Sequence, residues 1–318
     1  MMNQGTVSIG TKGQLDEDVA FILAKAAELK LPSLSSMTPI EARAEFARRL
    51  SRTNPAAPEG VDAADSAIPG PGDAIPIRLY RPQAAAPKGV LLYFHGGGFV
   101  VGDLDTHDAI CRVIASRTGS AVVSVHYRLG PEHPYPAAIE DGIAALRWLA
   151  ATFTAVPLAV AGDSAGGTMA AVVALHARDL GIPLALQALI YPAVDQSGDF
   201  PSRSRLAEGH LLTETDIQWF TRQYFVGREL PVLESDASPL RAALHAGLAP
   251  ALVLTCGFDP LVDEGDAYAA ALTKAGVPVR HVRLEGAIHG CLGLAAYLAC
   301  GRAALDQVCD TWSAILGG

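Results

Sequence analysis

A chain of 318 residues, half of them hydrophobic and 18% charged, can bury a large core and is too apolar to be disordered along its length. Its formal charge of −9 argues against the basic stripe that a nucleic-acid partner needs, and no apolar run reaches the roughly 18 residues of a membrane span. Five cysteines (Cys111, Cys256, Cys291, Cys300, Cys309), odd in number and without Cys-x-x-Cys spacing, fit reduced thiols; with no secretory pattern from Met1 to Asp18, they predict a cytoplasmic protein.

The first elements are two helices, over 15–31 and 39–50. Thr38 is placed to cap the second, and Glu41 lies in its first turn. A Pro/Ala/Gly-rich stretch over 54–73 marks a boundary. Beyond it, strands near 74–80, 89–95, 120–126, 157–162, 184–191, 251–256 and 277–284 alternate with helical stretches. That alternation predicts an α/β fold with a mostly parallel sheet covered on both faces.

The strand over 89–94 runs into His95-Gly96-Gly97-Gly98-Phe99. Three consecutive glycines let a backbone approach a ligand with its N–H groups exposed, as stabilisation of an oxyanion requires. The next signal is Gly162-Asp163-Ser164-Ala165-Gly166-Gly167, between the apolar run 157–161 and an alanine-rich helix. Strand, tight glycine-flanked turn and helix form a nucleophile elbow: Ser164 stands at the tip, and the N–H of Ala165 is the expected second oxyanion donor. Asp163 is expected to point elsewhere on the turn and to support the glycine loop or a neighbouring segment. After Asp195 the alternation breaks, and Thr213-Glu214-Thr215-Asp216 opens a helix carrying Ile217, Phe220 and Phe225, so 198–234 reads as an insertion.

In elbow hydrolases the remaining triad members follow in the order acid, then histidine. Asp259, just after the strand over 251–257, and Asp263 both compete for the acid. Asp259 is favoured because catalytic groups of open α/β sheets sit at strand ends, whereas Asp263 with Glu264 and Asp266 fits an acidic helix start. The strand over 277–284, whose imperfect alternation and Pro278 suit an edge, leads to His289-Gly290. Ser164 would attack, His289 would carry the proton, and the aspartate would fix the imidazole. His107, His176, His210, His245 and His281 lack metal-ligand spacing, and His133 reads as a loop residue tied to Glu132.

Taken together, His95-Gly96-Gly97-Gly98-Phe99, Gly162-Asp163-Ser164-Ala165-Gly166-Gly167, Asp259-Pro260-Leu261, His289-Gly290 and the segment Tyr127 to Ala138 resemble the hormone-sensitive-lipase-like branch of the α/β-hydrolases, which includes many short-chain carboxylesterases. The resemblance runs from about residue 74 to the C-terminus, departing at His126 and Gly130. It implies the α/β-hydrolase fold with a helical cap: N-terminal helices in 1–55, a catalytic core of 56–197 and 235–318, and a cap insertion at 198–234. It makes Ser164, Asp259 and His289 the triad, the N–H groups of Gly97, Gly98 and Ala165 the oxyanion hole, and His95 and Gly96 shapers of the glycine loop. Phe99, Leu211, Leu212, Trp219 and Phe220 become candidates for the acyl pocket or cap, although aromatic residues at helical spacing also fit plain packing. The implied activity is hydrolysis of short- to medium-chain esters through an acyl-enzyme, with a small-molecule ester as partner and no metal or organic cofactor. Amide or lactone hydrolysis and acyl transfer use the same groups, whereas a non-catalytic receptor is disfavoured by His289. Homodimers through an edge strand are common among such proteins, and 277–284 is the candidate edge.

Overall fold

The computed structural model describes residues 5–83 and 86–317. Nine strands form one sheet: β1 (Gly5–Ile9), β2 (Val61–Ile68), β3 (Ile75–Pro82), β4 (Val90–Phe94), β5 (Ala121–Val125), β6 (Leu158–Asp163), β7 (Leu186–Ile190), β8 (Ala251–Phe258) and β9 (Val279–Ile288). Their order is β1-β9-β8-β7-β6-β4-β5-β3-β2. All neighbours are parallel except β2 with β3 and β3 with β5.

The helices are α1 (Glu17–Glu28), α2 (Pro39–Thr53), α3 (Asp108–Thr118), α4 (Ala137–Thr152), α5 (Ala165–Asp179), α6 (Pro201–Arg205), α7 (Glu214–Tyr224), α8 (Val262–Lys274) and α9 (Ala299–Ile315). Strand β4 shows why its sequence is an unbroken apolar run. Val90, Leu92 and Phe94 enter a core shared with α4, α5 and α8, while Leu91 and Tyr93 enter the opposite core with α3 and α9. A strand covered on both faces has no polar side to show. Trp312 of α9 is fully buried, and its indole N–H donates to Ser120 Oγ at 3.0 Å.

Helix α2 begins at the expected cap: the Thr38 hydroxyl accepts from the Glu41 N–H, and the Glu41 carboxylate accepts from the Thr38 N–H. Helix α7 has the same reciprocal box between Thr213 and Asp216. Such caps hold a helix start by roughly 1 kcal/mol each.

The sheet margins depart from the sequence reading. The strand expected over 277–284 runs Val279–Ile288 and is not an edge, because β1 pairs in parallel with it, Gly5 to Ile9 opposite Arg280 to Leu284. Thr6 Oγ1 lies 3.1 Å from His281 Nδ1, and Ser8 Oγ donates to Glu285 Oε1 at 2.8 Å. With that side occupied, a homodimer built on an open edge of 277–284 has no free backbone to use. At the other margin, β2 falls inside the stretch read as a boundary, and its largely exposed residues reflect its place at the edge.

Candidate active site

Strand β6 ends at Asp163 and α5 starts at Ala165, leaving Ser164 alone in the turn with φ 55° and ψ −121°. A non-glycine residue there is strained by about 1–3 kcal/mol. The surroundings hold it: the Ser164 N–H donates to the Ile190 carbonyl at 2.8 Å. The flanking glycines are sterically required. A Cβ at Gly162 would lie 2.2 Å from the Gly166 carbonyl oxygen, and one at Gly166 would lie 2.0 Å from that of Phe94.

Ser164 Oγ is 2.9 Å from His289 Nε2, and His289 Nδ1 is 2.7 Å from Asp259 Oδ2. Asp259 is fully buried, and its second oxygen accepts the Leu261 N–H at 2.8 Å. Each of these residues sits at the C-terminal end of a strand: Ser164 after β6, Asp259 after β8, His289 after β9. Asp263, the competing aspartate, is not the hydrogen-bond partner of the histidine. Its carboxylate accepts from the Ser202 N–H at 2.8 Å and the Arg205 guanidinium at 3.2 Å, so it anchors α6. The Tyr191 ring lies 4.8 Å, centroid to centroid, from the His289 ring.

The glycine loop leaves β4 beside the serine. Gly97 has φ 124° and Gly98 φ 59°, and among the described residues neither N–H donates to another backbone or side-chain group. The Ala165 N–H opens α5, where first-turn N–H groups have no intrahelical partner and the dipole favours negative charge. His95 is fully buried, stacked 4.4 Å from the Tyr127 ring, and donates from Nδ1 to the Gly96 carbonyl at 2.8 Å. Burial foremost, with His107 next, pushes its imidazole down to about 3, so it is neutral.

Asp163 supports this loop. Its Oδ1 accepts from the Gly96 N–H at 3.1 Å and the Tyr93 hydroxyl at 2.8 Å, and His107 Nε2 lies 3.3 Å away. Burial raises this carboxyl, but His107 and the Tyr93 hydrogen bond outweigh it and hold it below the usual range. Tyr93 and His107 were not singled out for this role in the sequence: they stand 70 and 56 residues from Asp163, which residue order alone does not pair.

A cavity of about 530 Å³ opens over Ser164 and His289. Its wall is chiefly apolar and drawn from α1, α2, α7 and the loop before α7. Of the pocket candidates, Phe99, Leu211, Leu212 and Phe220 line it. Trp219 does not. It turns to the other side of α7 and packs with Ala42, Val100 and Val101, because adjacent helix positions point about 100° apart. Glu132 pairs with Arg43 and not with His133, as had been expected. Among the described residues, no group of three or more His, Cys, Asp or Glu is arranged to hold a metal ion, and no helix is long and apolar enough to cross a membrane.

Comparison with known proteins gives a consistent set of relatives. A family model described as alpha/beta hydrolase fold matches residues 91–293. The carboxylic ester hydrolase LipN of Mycobacterium tuberculosis is 40% identical over 88% of this chain and 77% of its own length. The esterase LipI of the same organism is 44% identical over 84% of this chain and 86% of its own length. Among solved structures, an ester hydrolase from the metagenome of Lake Arreo, complexed with a bipyridine phosphonate derivative, superposes with a TM-score of 0.90 at 39% identity, covering 96% of this chain and 100% of that one.

Proposed function

The chain belongs to the α/β-hydrolase family, in its hormone-sensitive-lipase-like branch, and from that premise we propose that it is a serine carboxylesterase acting on short- to medium-chain acyl esters. The observation that carries the proposal is the continuous hydrogen-bonded line Ser164–His289–Asp259, at 2.9 and 2.7 Å, on the floor of an apolar cavity.

In this reading Ser164 Oγ attacks the ester carbonyl as His289 Nε2 takes its proton. Asp259, held by the Leu261 N–H, keeps Nδ1 protonated and stabilises the imidazolium that forms. The N–H groups of Gly97, Gly98 and Ala165 receive the charge on the tetrahedral oxygen. His289 returns the proton to the leaving alcohol, and water repeats the sequence on the acyl-enzyme. A phosphonate, the ligand class bound to the Lake Arreo relative, carries a tetrahedral anionic centre of the kind such donors would hold. Helices α1 and α2 and the segment bearing α6 and α7 serve as the cap, and a volume of about 530 Å³ falls in the range of small-molecule sites.

The test is hydrolysis of p-nitrophenyl esters from acetate to palmitate by wild type and Ser164→Ala. Wild type should prefer the shorter chains, and the variant should lose about four to six orders of magnitude in turnover. Equal rates in the two proteins would overturn the assignment of Ser164, and a preference for palmitate would overturn the chain-length assignment. Matched amide and lactone substrates, turned over faster than the esters, would move the reading to those bonds.

A further inference from the structure

The cavity wall is chiefly apolar, but it also carries charge, and the charge is sorted by exposure. Its carboxylates are all buried: Asp163 under the glycine loop, Asp195 paired with Arg241 at 3.0 Å, Asp216 in the cap of α7, and Glu264 paired with Arg203 at 3.8 Å. The charged wall residues that are exposed are all cations: Lys25 of α1, and Arg48 and Arg52 of α2. Arg49 of α2, partly buried, joins them. Leu29, Leu31 and Tyr297 in the same wall are exposed as well, so this stretch is a rim where the cavity reaches solvent.

The rim cations outnumber the acids that meet them. Lys25 Nζ lies 2.6 Å from Glu28, whereas Glu45 is shared between Arg48 at 2.6 Å and Arg49 at 2.7 Å. Arg52 pairs with no carboxylate among the described residues. The other acids of these two helices, Glu17, Asp18 and Glu41, sit in the first turns, at the opposite ends, and Asp18 accepts the Ala299 N–H at 2.7 Å. Two positive charges are therefore left over at the rim. The roughly half negative charge at each helix C-terminus reduces that excess without cancelling it. Cations on any face would serve the helix dipoles, yet these four line the cavity, in a chain whose formal charge is −9.

We propose that this rim binds an anionic group, a carboxylate or a phosphate, at the far end of a substrate whose ester bond lies at Ser164. The proposal rests on the carboxylesterase reading and specifies its substrate class: esters with an apolar chain, acyl or alcohol, that ends in a negative charge. The chain matches the apolar wall and passes Leu29, Leu31 and Tyr297 where it leaves the cavity. A guanidinium presents paired N–H donors that fit a carboxylate or phosphate, and Arg52 has no carboxylate partner to give up. The buried acids deeper in the wall disfavour entry of the anion beyond the rim. An ammonium end would be repelled there, and a neutral end would gain nothing. The same excess charge draws anions toward the mouth before they bind, an attraction that salt screens over about 10 Å at 0.1 M.

The experiment compares kcat/KM for p-nitrophenyl esters ending in a carboxylate, a phosphate or a neutral carboxamide, over chains from adipic to sebacic, and for butyrates of alcohols bearing the same three ends. Wild type should favour an anionic end over the carboxamide by about fivefold at one length in low salt. The larger of the carboxylate and phosphate ratios identifies the group. That ratio should fall toward one in about 0.5 M NaCl, a measurement that needs no variant. Arg52→Glu should take it below one, with the carboxamide ester reporting any general loss. Arg81→Glu, an equal change of net charge at an exposed position of β3, should leave it unchanged. Carboxamide esters turned over normally with no anionic preference in either series would overturn the rim site and leave the esterase standing. A preference indifferent to salt, unchanged in Arg52→Glu, or moved equally by Arg81→Glu would also overturn it. No turnover of any ester would overturn the carboxylesterase reading and the rim site with it.

Discussion

Substituting Gly98 by alanine tests whether the cap and the glycine loop act as one unit. A Cβ at Gly98 would lie 2.4 Å from both Cγ and Cδ1 of Phe220, where ordinary carbon contacts are about 3.5–4.0 Å. Ring or loop must therefore retreat by more than about 1 Å. Helix α7 resists, because Asp216 caps it and is also tied to Ser33 and Ser35 of the N-terminal segment. The loop then gives way, and its N–H groups leave the proposed oxyanion position. Loss of one such donor lowers kcat by about 10²–10³. The backbone adds a separate cost, since φ 59° strains an L-residue by roughly 1–2 kcal/mol. Gly98→Ala should thus lose about 10²–10³ in kcat on p-nitrophenyl butyrate, per active site counted with a covalent phosphonate. Gly98→Ala/Phe220→Ala should recover to within about tenfold of Phe220→Ala, while keeping a stability deficit near 1 kcal/mol in urea unfolding. A single variant within threefold of wild type, or a double variant no faster than the single, would refute the reasoning.

Asp259→Asn should lower kcat by about four orders of magnitude with the fold retained, because the Leu261 N–H still finds a carbonyl oxygen, whereas Asp263→Asn should cost less than tenfold. Steady-state kinetics on the two purified variants separates them, and the reverse order would exchange the two aspartates. Asp163 is held below its ordinary 3.8, so its contribution to stability is present above that value and is lost as pH falls through the lower folded one. Asp163→Asn should therefore be less stable than wild type at pH 7, with a gap that narrows below about pH 3.8; urea midpoints measured against pH would contradict this if the gap stayed constant. Trp219→Ala should cost roughly 3–5 kcal/mol through its cavity and leave the ranking of acyl chain lengths unchanged, whereas Phe220→Ala should shift that ranking. Thermal unfolding and the ester series together check both.

The motifs of the proposed site were legible because each is local. Gly162 and Gly166 announce a turn that no side chain fits, three glycines after β4 announce an exposed backbone, and the interior strands are apolar runs. What escaped was either weakly patterned or long-range. Strands β1 and β2 are short or largely exposed, so polar residues such as Thr6, Ser8, Asp62 and Ser66 hide the strand signal that burial would otherwise impose. Glu264 reads as one more acid in a helix start, and only the fold brings it to Arg203, 61 positions earlier. Trp219 and Phe220 differ by a single helical step, and nothing in their order tells which one turns to the cavity.

The place of β1 bears on how the molecule is made. Among the described residues Gly5 to Ile9 pair only with β9, some 275 residues later in the chain. At a ribosomal pace of about 5–20 residues per second, this strand emerges and then waits roughly 14–55 s before its partner exists. During that interval its amides and carbonyls are satisfied by water alone, and a long apolar segment in the same position would be captured by neighbouring nascent chains. Gly-Thr-Val-Ser-Ile is short and half polar, a composition suited to waiting. Among the described strands the sheet is thus completed by β1, which docks only after β9 is in place.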